Sequence, residues 1–222
     1  MLSSPTLAKA TAYWASELSC PPVEMFADEL RIMPHGPALA DYNGIFALFR
    51  NGRAMISMPP DRMAERLPTE PALFAETFSN FRVIGPAFIG YADTMRPGSA
   101  EEVDNPFHAQ RLQAACDETA WEHGGSEVGE VPCSGVFADG ELAALAGYEV
   151  WTGGIAHISI VTHPRFRGRD YGREAVAHLA CRALEAGLVP QYRTLEANLP
   201  SMRIATALGF QHYASSVAVR LE

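Results

Sequence analysis

Residues 155–173 read Ile-Ala-His-Ile-Ser-Ile-Val-Thr-His-Pro-Arg-Phe-Arg-Gly-Arg-Asp-Tyr-Gly-Arg, and this run decides the fold. Its first half is a strand, with apolar Ile155, Ile158, Ile160 and Val161 and a predominance of β-branched residues. Pro164 ends the pairing because it has no backbone N–H to give. A loop with Arg165, Arg167, Gly168, Arg169, Gly172 and Arg173 follows. Ala175, Val176, Leu179, Ala180, Ala183 and Leu184 then recur at helical spacing.

Strand, glycine-bearing basic loop and helix start together make a place for an anion. The first N–H groups of a helix have no partner inside it, and they carry partial positive charge. Glycine lets a phosphate approach that backbone closely. The spacing matches neither the lysine-bearing phosphate loop nor the dinucleotide fingerprint, since the chain holds no Gly-Lys-Ser/Thr and no Gly-x-Gly-x-x-Gly. The plainer alternative is a basic surface turn that merely starts a helix.

Arg165-x-x-Gly168-x-Asp170, followed by Tyr171-Gly172, resembles the Arg/Gln-x-x-Gly-x-Gly/Ala loop of the GNAT family of N-acetyltransferases. The preceding residues 158–164 resemble that family's fourth strand. Downstream, residues 198–210, with Asn198, Ser201, Leu208, Gly209 and Phe210, resemble its Asn-x-x-Ser…Leu-Gly-Phe segment. Two blocks in order, with one helix and one short strand between them, are more specific than either alone. The resemblance covers residues 85 onward. It implies an α/β fold: a GNAT-type mixed central sheet flanked by helices over 86–222, preceded by an extra N-terminal α/β lobe over 1–85.

Composition agrees with a large domain or two small ones. The chain has 222 residues, is 48% hydrophobic and carries a net charge of −9. An acidic chain is a poor match for nucleic acid. The first residues show no basic segment leading into an apolar run, and no apolar run reaches membrane length, so neither a signal peptide nor a membrane partner is expected. Cys20, Cys116, Cys133 and Cys181 are scattered, which argues for reduced thiols, a cytoplasmic setting and no metal. The composition is compatible with an oligomer. Residues 101–130 hold eight acids against Arg111, whereas 163–203 hold seven arginines against four acids. The acidic segment would favour a cationic acceptor, unless both segments are simply solvated faces.

Outside the quoted run, the patterning predicts helices over 6–19, 62–67 and 71–81, a helix or helix pair over 106–122, and a last helix over 200–208. Strands are predicted at 31–33, 44–50, 53–58, 87–92, 134–138, 141–151, 191–197 and 210–220. Asn51-Gly52 and Asp139-Gly140 signal hairpin turns. Gly85-Pro86 reads as the joint before the core. Trp14, Phe46, Phe49, Phe74, Phe78 and Phe81 read as lobe core, with an acceptor-pocket role for some as the alternative.

The resemblance implies a direct acetyl transfer from acetyl-CoA to the primary amine of a small-molecule or amino-acid-like acceptor. Arg167, Gly168, Arg169, Asp170, Tyr171, Gly172 and Arg173 would cradle the pyrophosphate. Ile160, Val161 and Thr162 would pair with the pantetheine arm, an N–H near Ile160 or Val161 facing the thioester oxygen. Asn198 would bond the arm, and Ser201 occupies a polar position at a helix start. Their plainer readings are a turn residue and an N-cap. Acetylation of protein lysines or N-termini is a further reading, but it needs an open groove.

Two departures stand out. Where many members carry a thiolate-protonating tyrosine, this chain has Ala205. Where the family prefers Gly or Ala, it has Asp170, whose carboxylate could cap the N–H groups of Gly172 and Arg173. The missing tyrosine supports the alternative of a non-catalytic acyl-CoA-binding or sensor protein. The family's strand bases fall at Gly154 or Ala156, neither of which can serve. If Trp151 and Gly154 close a two-residue turn, Glu149 lies opposite Ala156 and becomes the candidate base; a three-residue turn reverses that parity. His157, the second catalytic candidate, points to the face opposite Ala156. Glu149 as a solvent-facing residue and His157 as a structural one are the alternatives.

Overall fold

The computed structural model describes residues 1–63 and 66–221. It shows a mixed α/β protein with ten strands among the described residues. The chain divides into two compact units, one formed by Met1–Tyr91, Arg193–Met202 and the chain from Gln211, the other by Ala92–Tyr192 and Arg203–Phe210.

The first unit contains α1 (Ser4–Glu17), β1 (Leu30–Pro34), β2 (Gly44–Arg50), β3 (Arg53–Met58), α2 (Pro71–Thr77) and β4 (Arg82–Tyr91). Its last strand is β10 (Gln211–Arg220), and the strand order is β1-β3-β2-β10-β4. Only β1–β3 pair in parallel; β3–β2, β2–β10 and β10–β4 are antiparallel. Ser3 caps α1 by accepting the Thr6 N–H, and Pro5 fits the first turn, where an N–H would be unpaired anyway. Asn51 and Gly52, with φ of 52° and 72°, close the expected β2–β3 hairpin. Alternation along β2 sends Phe46 to one face, where it stacks on Trp14 of α1, and Phe49 to the other, where it meets Phe74 of α2. The second face builds a core from Ile45, Ala47, Ile56, Phe74, Val217 and Val219. Phe81, expected in the core, is 39% exposed.

Several boundaries differ from the expectation. β4 begins at Arg82 and runs through Gly85-Pro86. It can do so because β4 itself bulges there, Gly85 and Pro86 together facing the single residue Val217 of β10, and Gly85 takes a φ of 128° that only glycine tolerates. The helix expected over 71–81 stops at Thr77. A single 3₁₀ turn, Pro60–Arg62, stands at the start of the helix expected over 62–67, and residues 64 and 65 of that span lie outside the described residues.

The second unit holds β5 (Glu101–Glu102), α3 (Pro106–Ala115), α4 (Glu118–Gly124), β6 (Cys133–Ala138), β7 (Glu141–Trp151), β8 (Ile155–Thr162) and α5 (Tyr171–Glu185). β9 (Val189–Leu195) passes from this unit into the first at Tyr192–Arg193, and α6 (Leu199–Ala207) passes back at Met202–Arg203. The order is β9-β8-β7-β6-β5, parallel between β9 and β8 and antiparallel elsewhere. The span 106–122 resolves as a helix pair because Cys116 leaves helical geometry and Asp117 caps α4 through the Ala120 N–H. Asp139 and Gly140, both at positive φ, close the β6–β7 hairpin.

Candidate functional site

β8 has two differently furnished faces. Ile160 and Thr162 lie under Gly172 of α5, where an added Cβ would come within 2.9 Å of the Thr162 Oγ1 and 3.6 Å of Ile160. His157, Ser159 and Val161 face the other way. Val161 joins Ala109 and Leu112 of α3 and Leu145 of β7 in an apolar cluster. Ser159 Oγ lies 2.7 Å from Ser126 Oγ and donates to the Gly147 carbonyl. Gly124, the last residue of α4, sits so close to β8 that a Cβ there would fall 2.2 Å from the Ile160 carbonyl oxygen.

The two edges of β8 also differ. Pairing with β7 continues to Ala144↔Thr162. Pairing with β9 ends at Ile158↔Tyr192. Among the described residues, Ser159 to Thr162 are therefore strand-paired on one side only. An extended polar ligand could add to the other side as a strand does.

Beyond Thr162 the loop is pinned by Phe166, which is 1% exposed. His163 Nδ1 accepts the Arg165 N–H at 3.1 Å, which fixes the 3₁₀ turn Pro164–Phe166. Gly168 takes φ of 77°, and α5 starts at Tyr171. Arg165 is held by Glu141 at 2.9 Å, and Arg173 by Asp170 and Glu174 at 3.3 and 3.1 Å. Arg167 and Arg169 make no ion pair among the described residues, and Arg169 lies over the Phe166 ring. These two guanidinium groups and the first N–H groups of α5 are what the loop offers an anion.

Asp170 does not cap the helix. Its side chain makes no bond to the first-turn N–H groups, and its backbone is left-handed, with φ of 63°. In that conformation its carboxylate meets Arg173 instead. Glycine would occupy this position without strain, and Asp is among the few side chains that tolerate it. The next carboxylate, Glu174, accepts the N–H and hydroxyl of Ser99. The Ser99 N–H does most to lower its pKa below the usual carboxylate value, with help from Arg173 and against the effect of burial.

The turn between β7 and β8 has three residues, since Trp151 pairs with Ile155. Glu149 is therefore opposite His157, not Ala156, and both side chains lie on the α3–α4 face. Gly153 and Gly154, each at φ of 78°, allow the longer turn. Trp151 shares this face. Its ring stacks on His157 with centroids 4.0 Å apart, and its indole N–H donates to Glu149 Oε2 at 3.2 Å. His157 Nδ1 lies 2.9 Å from Oε1 of the fully buried Gln191. A carbonyl oxygen can only accept, so Nδ1 donates in this contact. Gln191 was not among the expected site residues. The polar residue inside Val-Pro-Gln-Tyr was its signal, but its partner is 34 positions away across a parallel pair.

A cavity of about 240 Å³ lies on the same face, toward the loop, lined by His108, Arg111, Leu112, Glu141, Leu142 and His163. Arg111 and Arg165 share the Glu141 carboxylate at its edge. In the first unit, Asn198 Oδ1 accepts the Ser201 N–H at 3.4 Å, so Asn198 caps α6 and Ser201 belongs to its first turn. Burial pushes all four thiols up, Cys133 to about 11, which leaves them protonated and poor nucleophiles at neutral pH. Among the described residues no cluster of three or more His, Cys, Asp or Glu could hold a metal, and no helix is long and apolar enough to cross a membrane.

Comparison with known proteins agrees with this arrangement. Two solved structures share the fold. A GNAT-family protein from Novosphingobium aromaticivorans DSM 12444 is 23% identical over 62% of this chain and 64% of its own, with a TM-score of 0.51. A GNAT-family acetyltransferase from Colwellia psychrerythraea is 11% identical over 100% of this chain and 98% of its own, with a TM-score of 0.52. No curated protein matches the sequence. The sequence model of the Acetyltransferase (GNAT) family matches residues 99–210, just over half of the chain, a span that includes both 155–173 and 198–210. The chain belongs to the GNAT family of acetyltransferases.

Proposed function

We propose that the protein moves an acetyl group from acetyl-CoA to the primary amine of a small-molecule or amino-acid-like acceptor by direct attack. The observation that carries this reading is the one-sided edge of β8 over Ser159–Thr162, which leads straight into the Gly168 loop and α5. Ile160, Val161 and Thr162 would bind the extended arm of the coenzyme through their backbone. Arg167, Arg169 and the N–H groups from Gly168 to Arg173 would bind its pyrophosphate. The roles of Asn198 and Ser201 rest on the family resemblance alone.

The amine must lose a proton to attack. The three-residue turn takes Glu149 off the Ala156 face, so in this reading the amine approaches from the α3–α4 face, where Glu149 takes the proton with Trp151 orienting its carboxylate through Oε2. His157, held through Nδ1 by Gln191, lies on the same face and is the second catalytic candidate. A β8 N–H near Ile160 or Val161 stabilises the oxyanion. The protonated thiols argue against an acyl-cysteine intermediate, so transfer relies on holding the two reactants together. The eight acids of residues 101–130 would draw a cationic acceptor. Scattered, protonated cysteines support a cytoplasmic setting.

One observation favours the second reading, a non-catalytic acyl-CoA-binding protein: Ala205 is fully buried, so no side chain at that position can protonate the leaving thiolate. Incubation with acetyl-CoA and a panel of amines, following free thiol, separates the two. Amine-dependent thiol release supports transfer. Coenzyme binding without turnover across the panel supports the alternative.

A further inference from the structure

Arg193 is a cation without an anion. It stands on β9 in the first unit, and its Nη2 donates to Ser216 Oγ on β10 at 3.1 Å. Its Cζ is 5.9 Å from the centroid of the Phe46 ring, which itself stacks on Trp14. A guanidinium has five N–H donors, and Ser216 takes one of them. No ion pair forms at Arg193 among the described residues. Glu196, just past the end of β9, accepts the Ser215 hydroxyl at 2.6 Å.

The groups that act on Arg193 electrostatically are the phenols of Tyr13, Tyr91 and Tyr42, while burial lowers its pKa. Phenols do not replace a counter-ion here. Burial pushes the Tyr13 and Tyr42 hydroxyls up, so they stay neutral. The Tyr91 oxygen accepts the Trp14 N–H at 2.9 Å, and Tyr42 donates to the Val219 carbonyl at 3.2 Å. Among the described residues no buried side-chain nitrogen lacks a partner, so the Arg193 nitrogens that make no bond are not completely enclosed. A half-buried guanidinium beside rings loses solvation that ring faces only partly return.

We propose that Arg193 binds the carboxylate of a small organic acid whose apolar body lies against Phe46. A carboxylate matches the planar fork of a guanidinium and balances its single charge. A phosphate would bring more charge than one arginine and neutral hydroxyls can offset. The inference rests on the surroundings of Arg193 and not on acetyl transfer.

Calorimetry of the full chain with benzoate, and with benzamide as its neutral counterpart, tests it. Benzoate should bind at one site, and benzamide at least tenfold more weakly. Arg193→Gln should weaken benzoate tenfold or more, and Arg193→Lys several-fold, since it keeps the charge but loses the fork. Arg111→Gln, in the other unit, should leave benzoate unaffected. Equal binding of benzoate and benzamide to the wild type overturns the proposal even if both Arg193 variants fail to fold. So does absence of benzoate binding up to about 10 mM, an unchanged affinity in a folded Arg193→Gln, or a loss confined to Arg111→Gln.

Discussion

Replacing Gly124 with alanine probes the seat of α4 on β8. The new Cβ would lie 2.2 Å from the Ile160 carbonyl oxygen, where ordinary contact begins at 3.4 Å. The helix end or the strand must therefore yield by about 1 Å. Such overpacking costs ~1–3 kcal/mol, and the stiffer unfolded chain returns ~0.5–1 kcal/mol. A net loss of ~1–2 kcal/mol lowers the Tm of a chain this long by about 2–8 °C. The same displacement moves the Ile160 peptide that would receive the acyl arm, and a 1 Å misplacement of a reacting group lowers rate by about a hundredfold. Thermal unfolding followed by circular dichroism reads the first effect, and thiol release at saturating acetyl-CoA reads the second. A Tm within one degree of wild type together with an unchanged kcat would show that α4 does not position this part of β8.

Three other outcomes are expected. Glu149→Gln should lower turnover by about a hundredfold with little change in the Kd for acetyl-CoA; undiminished turnover removes Glu149 from the reaction. Asp170→Gly should tighten coenzyme A binding several-fold, because it takes a carboxylate away from the loop, leaves Arg173 with Glu174 as its one acidic partner among the described residues and suits the φ of 63°; weaker binding by calorimetry would mean that the carboxylate holds the loop in shape. Glu174 has a depressed pKa, so its contribution to stability is present above the ordinary carboxylate value of 4.5 and is lost as pH falls through the lower folded value. Urea midpoints of wild type and Glu174→Gln should accordingly differ at pH 7 and draw together as pH falls below 4.5 through the lowered folded value, and a gap that does not change with pH sinks the assignment.

Local chemistry made much of this fold legible. Asn51-Gly52 and Asp139-Gly140 announce their hairpins because both residues of such a turn need positive φ. The run from Ile155 to Arg173 shows its strand, loop and helix through residue types alone. What stayed hidden depended on counting or on distance. Two adjacent glycines, Gly153 and Gly154, permit turns of either parity, and one residue more or less decides which face Glu149 occupies. The left-handed backbone of Asp170 cannot be told from a cap by residue type, since Asp suits both. Gln191 and Arg193 draw their meaning from His157 and Ser216, partners that the chain brings close only after folding.

The place of β10 in the first unit has a consequence for synthesis. It lies between β2 and β4, which means that two strands made early in translation have no partner on their inner edges until residues 211–220 have left the ribosome. Throughout that interval the nascent chain carries two open strand edges rich in Ile, Phe and Ala, the kind of surface that pairs with neighbouring chains. Helix and hairpin formation in residues 1–58 gives no relief, since the missing partner is a whole strand encoded more than 150 residues later. Yield in the cell should accordingly depend on how quickly translation proceeds from β4 to β10 and on holdase capacity while β10 is awaited.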